Sequence, residues 1–155
     1  KLGIFTVSMD FDPTVVEINY QKIKSSSEKN ILPLWIDLTN PTPGLGWTNL
    51  ERDSLLNRPH PDTILTLALV HHLAIANNLP LPMIAGFYAN LCRNLIIEFV
   101  PKEDPQTKRL LQSRQDIFPN YNRESFEKEF SKFFKISKKE ILPGSKRVVY
   151  LMIKK

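Results

Sequence analysis

Apolar residues along this chain gather in short unbroken runs: "GIFTVSM" (3–9), "ILPLWI" (31–36), "TILTLALV" (63–70) and "NLIIEFV" (94–100). Continuous runs of this kind, as opposed to alternating ones, suit strands buried on both faces of a parallel sheet. The segments between them carry helical spacing. Asp12 and Pro13 supply an N-cap and a first helical residue, after which Val16, Tyr20 and Ile23 fall on one face. Ile84, Phe87, Tyr88 and Leu91 repeat that spacing. The order β, α, β, loop and helix, β, α, β predicts an open, doubly wound α/β fold, with residues 1–155 as a single domain.

Beyond a polar stretch from Lys102 to Asn122 the pattern changes. Phe126, Phe130, Phe133 and Phe134 predict one apolar helix stripe, leading into "FKISKKEIL", the turn "PGSK" and "RVVYLMI". Two strands joined by so short a turn run antiparallel. Pro33 lacks an N–H to give to a ladder, which places the second strand at a sheet edge. No internal repeat and no interdomain linker is visible.

Composition adds few constraints. At 155 residues, 42% hydrophobic and 24% charged, the chain reads as an ordinary globular domain. Its net charge of +5 is spread along the chain, with one dense cluster, "KISKKEILPGSKR", that includes a turn, so charge alone does not mark a nucleic-acid binder. Cys92 is the lone cysteine, which excludes an intramolecular disulfide and fits a reducing cytoplasm. No apolar stretch approaches the ~20 residues of a membrane span, and the start shows no leader pattern. Lys1 stands where a methionine would begin a whole chain, as expected of a fragment.

In open α/β sheets ligands bind outside the carboxyl ends of the strands. Polar groups follow the apolar runs at just those ends: Asp10 and Asp12, Asp37, His71 and His72, and Glu98. An acid closing such a strand can accept from both hydroxyls of a ribose, and Asp10 is read in that role, with Asp12 as the helix cap. Asp37 either takes an exocyclic amine or starts the turn "LTNPTPGLGW". "GLG" lacks a third glycine and is read as loop geometry, and Trp47 as a packing residue. Adjacent histidines on a strand end point apart and no further ligand set has recognisable spacing, so no metal site is assigned. Glu98 is either an acid or base toward substrate or an acceptor tied to backbone amides. Arg109 and Arg114 meet an anionic group or lie on a solvated helix face, and Cys92 packs.

The ordered set "VSMDFDP", "PLWIDLTNP", "DTILTLALVHHL" and "NLIIEFVP", followed by a terminal hairpin, resembles a class I S-adenosylmethionine-dependent methyltransferase of Rossmann-like fold from its second strand onward. The match covers essentially the whole chain. The resemblance implies S-adenosyl-L-methionine as cofactor, with Asp10 on the ribose, Phe11 beside the adenine, and Asp37 with Leu38 at the adenine edge. It also implies Ala68 to His72 along the methionine side of the cofactor and the entrance for an unidentified methyl acceptor. His71, His72 and Glu98 are then the candidates for orienting or deprotonating that acceptor. "EFVPKEDP" and "NPTPGLGW" are further similar to a bacterial nodulation-related subgroup of methyltransferases.

One departure is large. The family's first strand and glycine-rich loop would precede "VSMDFDP", and that strand would be central in the sheet. Three expectations follow: the flanking strands pair directly, another copy of the chain associates through the unpaired edges, or the chain is a piece of a longer protein, the reading adopted. The function expected is methyl transfer by a domain that is weak or inactive in this incomplete form. The alternative is a noncatalytic interaction domain that keeps the fold. A nicotinamide oxidoreductase would also place an acid after its second strand, but the terminal hairpin speaks against it.

Overall fold

The computed structural model describes residues 3–155; Lys1, on which the expectation of a fragment partly rested, lies with Leu2 outside the described residues. In chain order the elements are β1 (Thr6–Asp10), α1 (Pro13–Ser25), β2 (Ile31–Trp35), β3 (Thr63–Thr66), α2 (Leu81–Leu91), β4 (Asn94–Phe99), α3 (Pro105–Leu111), α4 (Arg123–Phe130), β5 (Phe134–Ile141) and β6 (Val148–Lys154). They fall into two compact units, the first ending at Arg58 and the second spanning Pro59–Lys155.

The first unit is a β-α-β element. β1 and β2 pair in parallel, Thr6 opposite Ile31 and Asp10 opposite Trp35. α1 begins as its sequence requires: the Asp12 carboxylate accepts the Thr14 N–H at 2.8 Å, and Pro13 occupies a position where no N–H is needed. Asn19 of α1 donates to the Ser8 hydroxyl at 3.1 Å, which marks the face of β1 that the helix covers. Ile36 donates to the Asp10 carbonyl, and N–H directions alternate along a strand, so the ring nitrogen of Pro33 faces away from β1. β2 is an edge strand, in keeping with that proline. None of the described residues of this unit is buried.

The loop after β2 closes on itself through Leu45 and Arg52. Gly46 has φ +89°, and a Cβ there would run into the Glu51 side chain, so this glycine serves the loop's own geometry. Trp47, expected to pack, is instead 84% exposed, on a short turn that lifts it away from the strands of its own unit.

The second unit holds a sheet of order β3-β4-β6-β5. β3 and β4 are parallel; β6 runs antiparallel to both β4 and β5, so the expected terminal hairpin is present. One face is covered. Leu95, Ile97 and Phe99 of β4, with Tyr150 and Met152 of β6, are buried in one cluster with Ile84, Ala85 and Tyr88 of α2 and Phe126 and Phe130 of α4. Phe126 is its hub, with ring centroids 4.3 Å from Phe130, 5.1 Å from Phe99 and 5.3 Å from Tyr150. Tyr121 closes one end by donating to the Val100 carbonyl at 2.7 Å. No helix among the described residues is long and apolar enough to cross a membrane.

Four expectations need correction. The parallel strands do not share one sheet: β1 and β3 belong to different sheets, so they do not pair directly. The third apolar run is a strand only over Thr63–Thr66, because Ala68 takes a left-handed backbone (φ +49°) that ends it. The aromatic stripe is split, since α4 stops at Phe130 and Phe134 opens β5, leaving Phe133 half exposed between them. His71 and His72, expected to point apart on a strand, lie on a helical turn with ring centroids 4.2 Å apart.

This distribution of burial sets the cost of truncation. Phe126→Ala is expected to lower the stability of the second unit by about 3–5 kcal/mol, and Val7→Ala, on an exposed strand, by less than ~1 kcal/mol, both read from urea denaturation. Equal losses at the two positions would show that β1 carries a buried core.

Candidate functional site

At the carboxyl ends of β1 and β2, Asp10 and Trp35 stand side by side on the α1 face of the sheet. Asp10 is half buried and one of its oxygens accepts the Asp12 N–H at 2.9 Å. Trp35 is 69% exposed and donates its indole N–H to the Phe11 carbonyl at 2.8 Å; Phe11 is 73% exposed. Two open aromatic side chains beside a carboxylate form a polar-and-stacking arrangement of the kind that nucleosides use. Asp37 follows β2 and is occupied locally. Its carboxylate accepts both the Thr39 hydroxyl (2.7 Å) and the Thr39 N–H (2.8 Å), which hold it below the usual carboxylate range, while Leu38 beside it is half buried. Trp35 was not singled out from sequence; its signal was a large aromatic in the last position of a strand, before Ile36 and Asp37.

In the second unit the chemistry gathers where β3 and β4 end. The Glu98 carboxylate is buried and divided between two partners: one oxygen accepts the Ala68 N–H at 2.7 Å, the other lies 3.4 Å from Arg147. Arg147 also makes a two-pronged contact with Asp104, at 2.7 and 3.0 Å. That guanidinium holds Asp104 below the ordinary carboxylate range, and Asp104 caps α3 through the Gln106 N–H. Glu98 is thus bonded to a backbone amide, one of the two roles open from its position, and that amide belongs to the left-handed Ala68. Arg147 and Asp104 were missed by sequence reasoning, since nothing in a hairpin turn announces a partner 43 residues away.

Beyond Ala68 the chain forms a π-helical turn, His72–Ala76, closed by the Asn77 N–H on the His72 carbonyl at 3.1 Å. Such turns are uncommon and recur at functional sites. Arg114 clamps its end, donating to the carbonyls of Ile75 and Ala76 and to the Asn78 side chain, so it is neither free for an anion nor a solvated surface group. Arg109 lies exposed on α3. His71 is 1% exposed, and neither of its ring nitrogens has a partner. Burial, with the neighbouring His72 and Arg147, pushes its pKa down to about 4 against the opposing pull of Asp104. His72 is exposed. Cys92 is buried and its thiol donates to the Tyr88 carbonyl at 3.4 Å.

No protein-family profile matches the chain. It is 41% identical over 144 residues to the nodulation protein NoeA of Rhizobium meliloti (strain 1021), an alignment covering 93% of this chain and 30% of that protein. The chain therefore spans about a third of the curated relative it matches. Its fold is shared with the bifunctional kinase-methyltransferase WbdD (TM-score 0.62, 11% identity, 95% of this chain and 29% of that one). It is shared also with the PH0226 protein of Pyrococcus horikoshii OT3 (TM-score 0.61, 12% identity, 97% and 72%). The expected methyltransferase-like α/β fold, and the likeness to a nodulation-related group, both stand on these findings.

Two measurements follow from the second unit. A folded His71 protonates at about 4 and an unfolded one near 6.5, so between those values the unfolded chain binds more protons and stability falls as pH is lowered. An NMR titration is expected to find the His71 ring midpoint near pH 4; a midpoint near 6.5 would show an open, solvated ring. Arg147→Met, which strands two buried carboxylates, is expected to cost about 3 kcal/mol at neutral pH. The part of that loss owed to Asp104, whose carboxyl Arg147 holds below its ordinary range, shrinks as pH falls through that range, as thermal melts at two pH values would show.

Proposed function

We propose that the chain is the larger part of an S-adenosylmethionine-dependent methyltransferase domain of the NoeA-related group, and that it acts only when the domain is completed. The observation that carries this reading is the arrangement at Asp10: a strand-end carboxylate with one oxygen uncommitted, flanked by the exposed rings of Phe11 and Trp35. These residues fit an adenosine. Asp10 would accept from the ribose hydroxyls, the two rings would lie against the base, and Asp37 with Leu38 would border its edge. The cofactor supplies a methyl group already activated on a sulfonium sulfur, so a protein around it contributes mainly alignment.

In this reading the second unit serves the acceptor. Glu98, with both oxygens engaged, is a positioning residue that holds Ala68 and the turn after it. His71, kept neutral by burial, stands behind His72, whose exposed ring is the group placed to orient an acceptor or take its proton. An alternative role as a noncatalytic interaction domain finds support in the first unit, where no described side chain is buried: a half-site with no core of its own is also what a domain retaining the fold for binding would show.

Calorimetric titration of S-adenosylhomocysteine tests the reading. A longer form of the polypeptide is expected to bind it, the 155-residue chain to bind it weakly or not at all, and Asp10→Ala in the longer form to weaken binding at least tenfold, about 1.4 kcal/mol. Absence of binding by both forms would overturn the cofactor assignment and favour the interaction domain.

A further inference from the structure

Three segments of the second unit meet at one end of its sheet. β4 ends at Phe99 opposite Val148, the first residue of β6, so the loop that follows Phe99 and the hairpin turn that precedes Val148 lie at the same end. That is the carboxyl end of β3 and β4, where ligands of open α/β sheets bind. Between the loop, α3 and the turn lies a cleft of about 450 Å³, the size of a small-molecule site. Pro101 and Asp104 line it from the loop, Lys108 from α3, and Ser145 and Lys146 from the turn.

The walls of this cleft are held in place. The Leu142 N–H donates to the Arg147 carbonyl at 2.9 Å, and the Ser145 hydroxyl donates to the Leu142 carbonyl at 3.1 Å while accepting the Arg147 N–H at 3.2 Å. Asp104 is neutralised by its two-pronged contact with Arg147. The charges left over are those of Lys108, Lys146 and Glu103, which also lines the cleft. Other lysines of the unit find acidic partners: Lys102 with Asp116, Lys132 with Glu129, Lys138 with Glu140 and Lys139 with Glu127. Among the described residues, neither lysine side chain of the cleft has a partner, and the Glu103 carboxylate has none either. Charge on the scale of the unit has the same sign. Of the chain's 21 Lys and Arg, 15 lie at or beyond Pro59, with nine of its 16 Asp and Glu. Such an excess raises the local concentration of anions at a concave site.

We propose that this cleft binds the anionic group, a phosphate or a carboxylate, of a small hydroxylated molecule. Lys108 and Lys146 reach that group from two different elements, each as a compact charge with three donors. Glu103 repels a bare anion and accepts from a hydroxyl, so the cleft favours a ligand that carries both kinds of group. Among the described residues no aromatic side chain lines the cleft, which removes the stacking surface that a nucleic-acid base uses. Resting on the methyltransferase reading, this molecule is the methyl acceptor. Asp104 in the cleft wall is tied through Arg147 to Glu98, and Glu98 to the amide of Ala68, four residues before His72. One network therefore anchors both the anion site and the turn that carries His72.

NMR titration of the 155-residue chain with inorganic phosphate and, separately, with acetate tests the proposal, each against chloride at constant ionic strength. Saturable shifts of the Gly144, Ser145 and Lys146 amides are expected, with a dissociation constant of about 1–10 mM, and the tighter-binding anion names the group. Lys108→Ala with Lys146→Ala is expected to weaken binding at least tenfold and to leave the melting temperature unchanged, since both side chains are exposed. Glu103→Gln, which removes the like charge, is expected to tighten binding severalfold. Shifts that do not saturate, that chloride reproduces, or that survive the double substitution overturn the proposal. In a longer form of the polypeptide, anion binding without S-adenosylhomocysteine binding sinks the methyltransferase reading and leaves the cleft an anion site. The converse result, S-adenosylhomocysteine bound and no anion, sinks the cleft proposal alone.

Discussion

A carboxylate buried near the end of a strand is expensive unless it is paired and bonded, and the geometry at the ends of β3 and β4 is organised by the way Glu98 meets that cost. One oxygen takes the Ala68 amide and so holds a left-handed residue at the point where β3 must stop. The other meets Arg147, which is itself shared with Asp104, the cap of α3. A single charge therefore links the end of one strand, the start of a helix and the final hairpin. The π-helical turn begins four residues beyond Ala68, directly after the paired ring of His71.

The same constraint explains the state of His71. Arg147 is close enough to disfavour a second positive charge, and burial disfavours any charge at all, so the ring stays neutral. Its two nitrogens remain without partners, an arrangement native proteins seldom tolerate without a use. Glu98, by contrast, has both carboxylate oxygens engaged. The division of labour between a committed acid and an uncommitted histidine comes from packing and not from residue type.

Local signals carried much of the fold. The cap at Asp12, the edge position of Pro33, the hairpin around Gly144 and the strand-end acids were all legible, because each depends on neighbours within a few residues. What could not be read depended on distance or on what was absent. Trp47 looked like a packing residue, and it stands exposed on a short turn. Four apolar residues after Thr66 looked like more strand, and a bond from a carboxylate 30 residues away turned the backbone there instead. Phe133 matched the spacing of an aromatic stripe that the helix was too short to extend. Arg147 was invisible because a bridge to Asp104 across 43 residues leaves no local trace.

The two units also differ in how far each satisfies its own sequence. The second buries Phe126, Phe130, Tyr150 and their neighbours behind one face of a four-stranded sheet, enough to meet the entropy cost of order. The first pairs two strands under one helix and buries none of its described residues, although Val7, Met9, Leu32 and Trp35 are strand residues of the apolar kind. A two-stranded element is marginal in water without a further layer. Yet its polar features are in place: Asp10 braced by the Asp12 amide, Asp37 by Thr39, and Trp35 by the Phe11 carbonyl. Local hydrogen bonds can preform the geometry of a strand end, but a buried layer is what holds a two-stranded element in place.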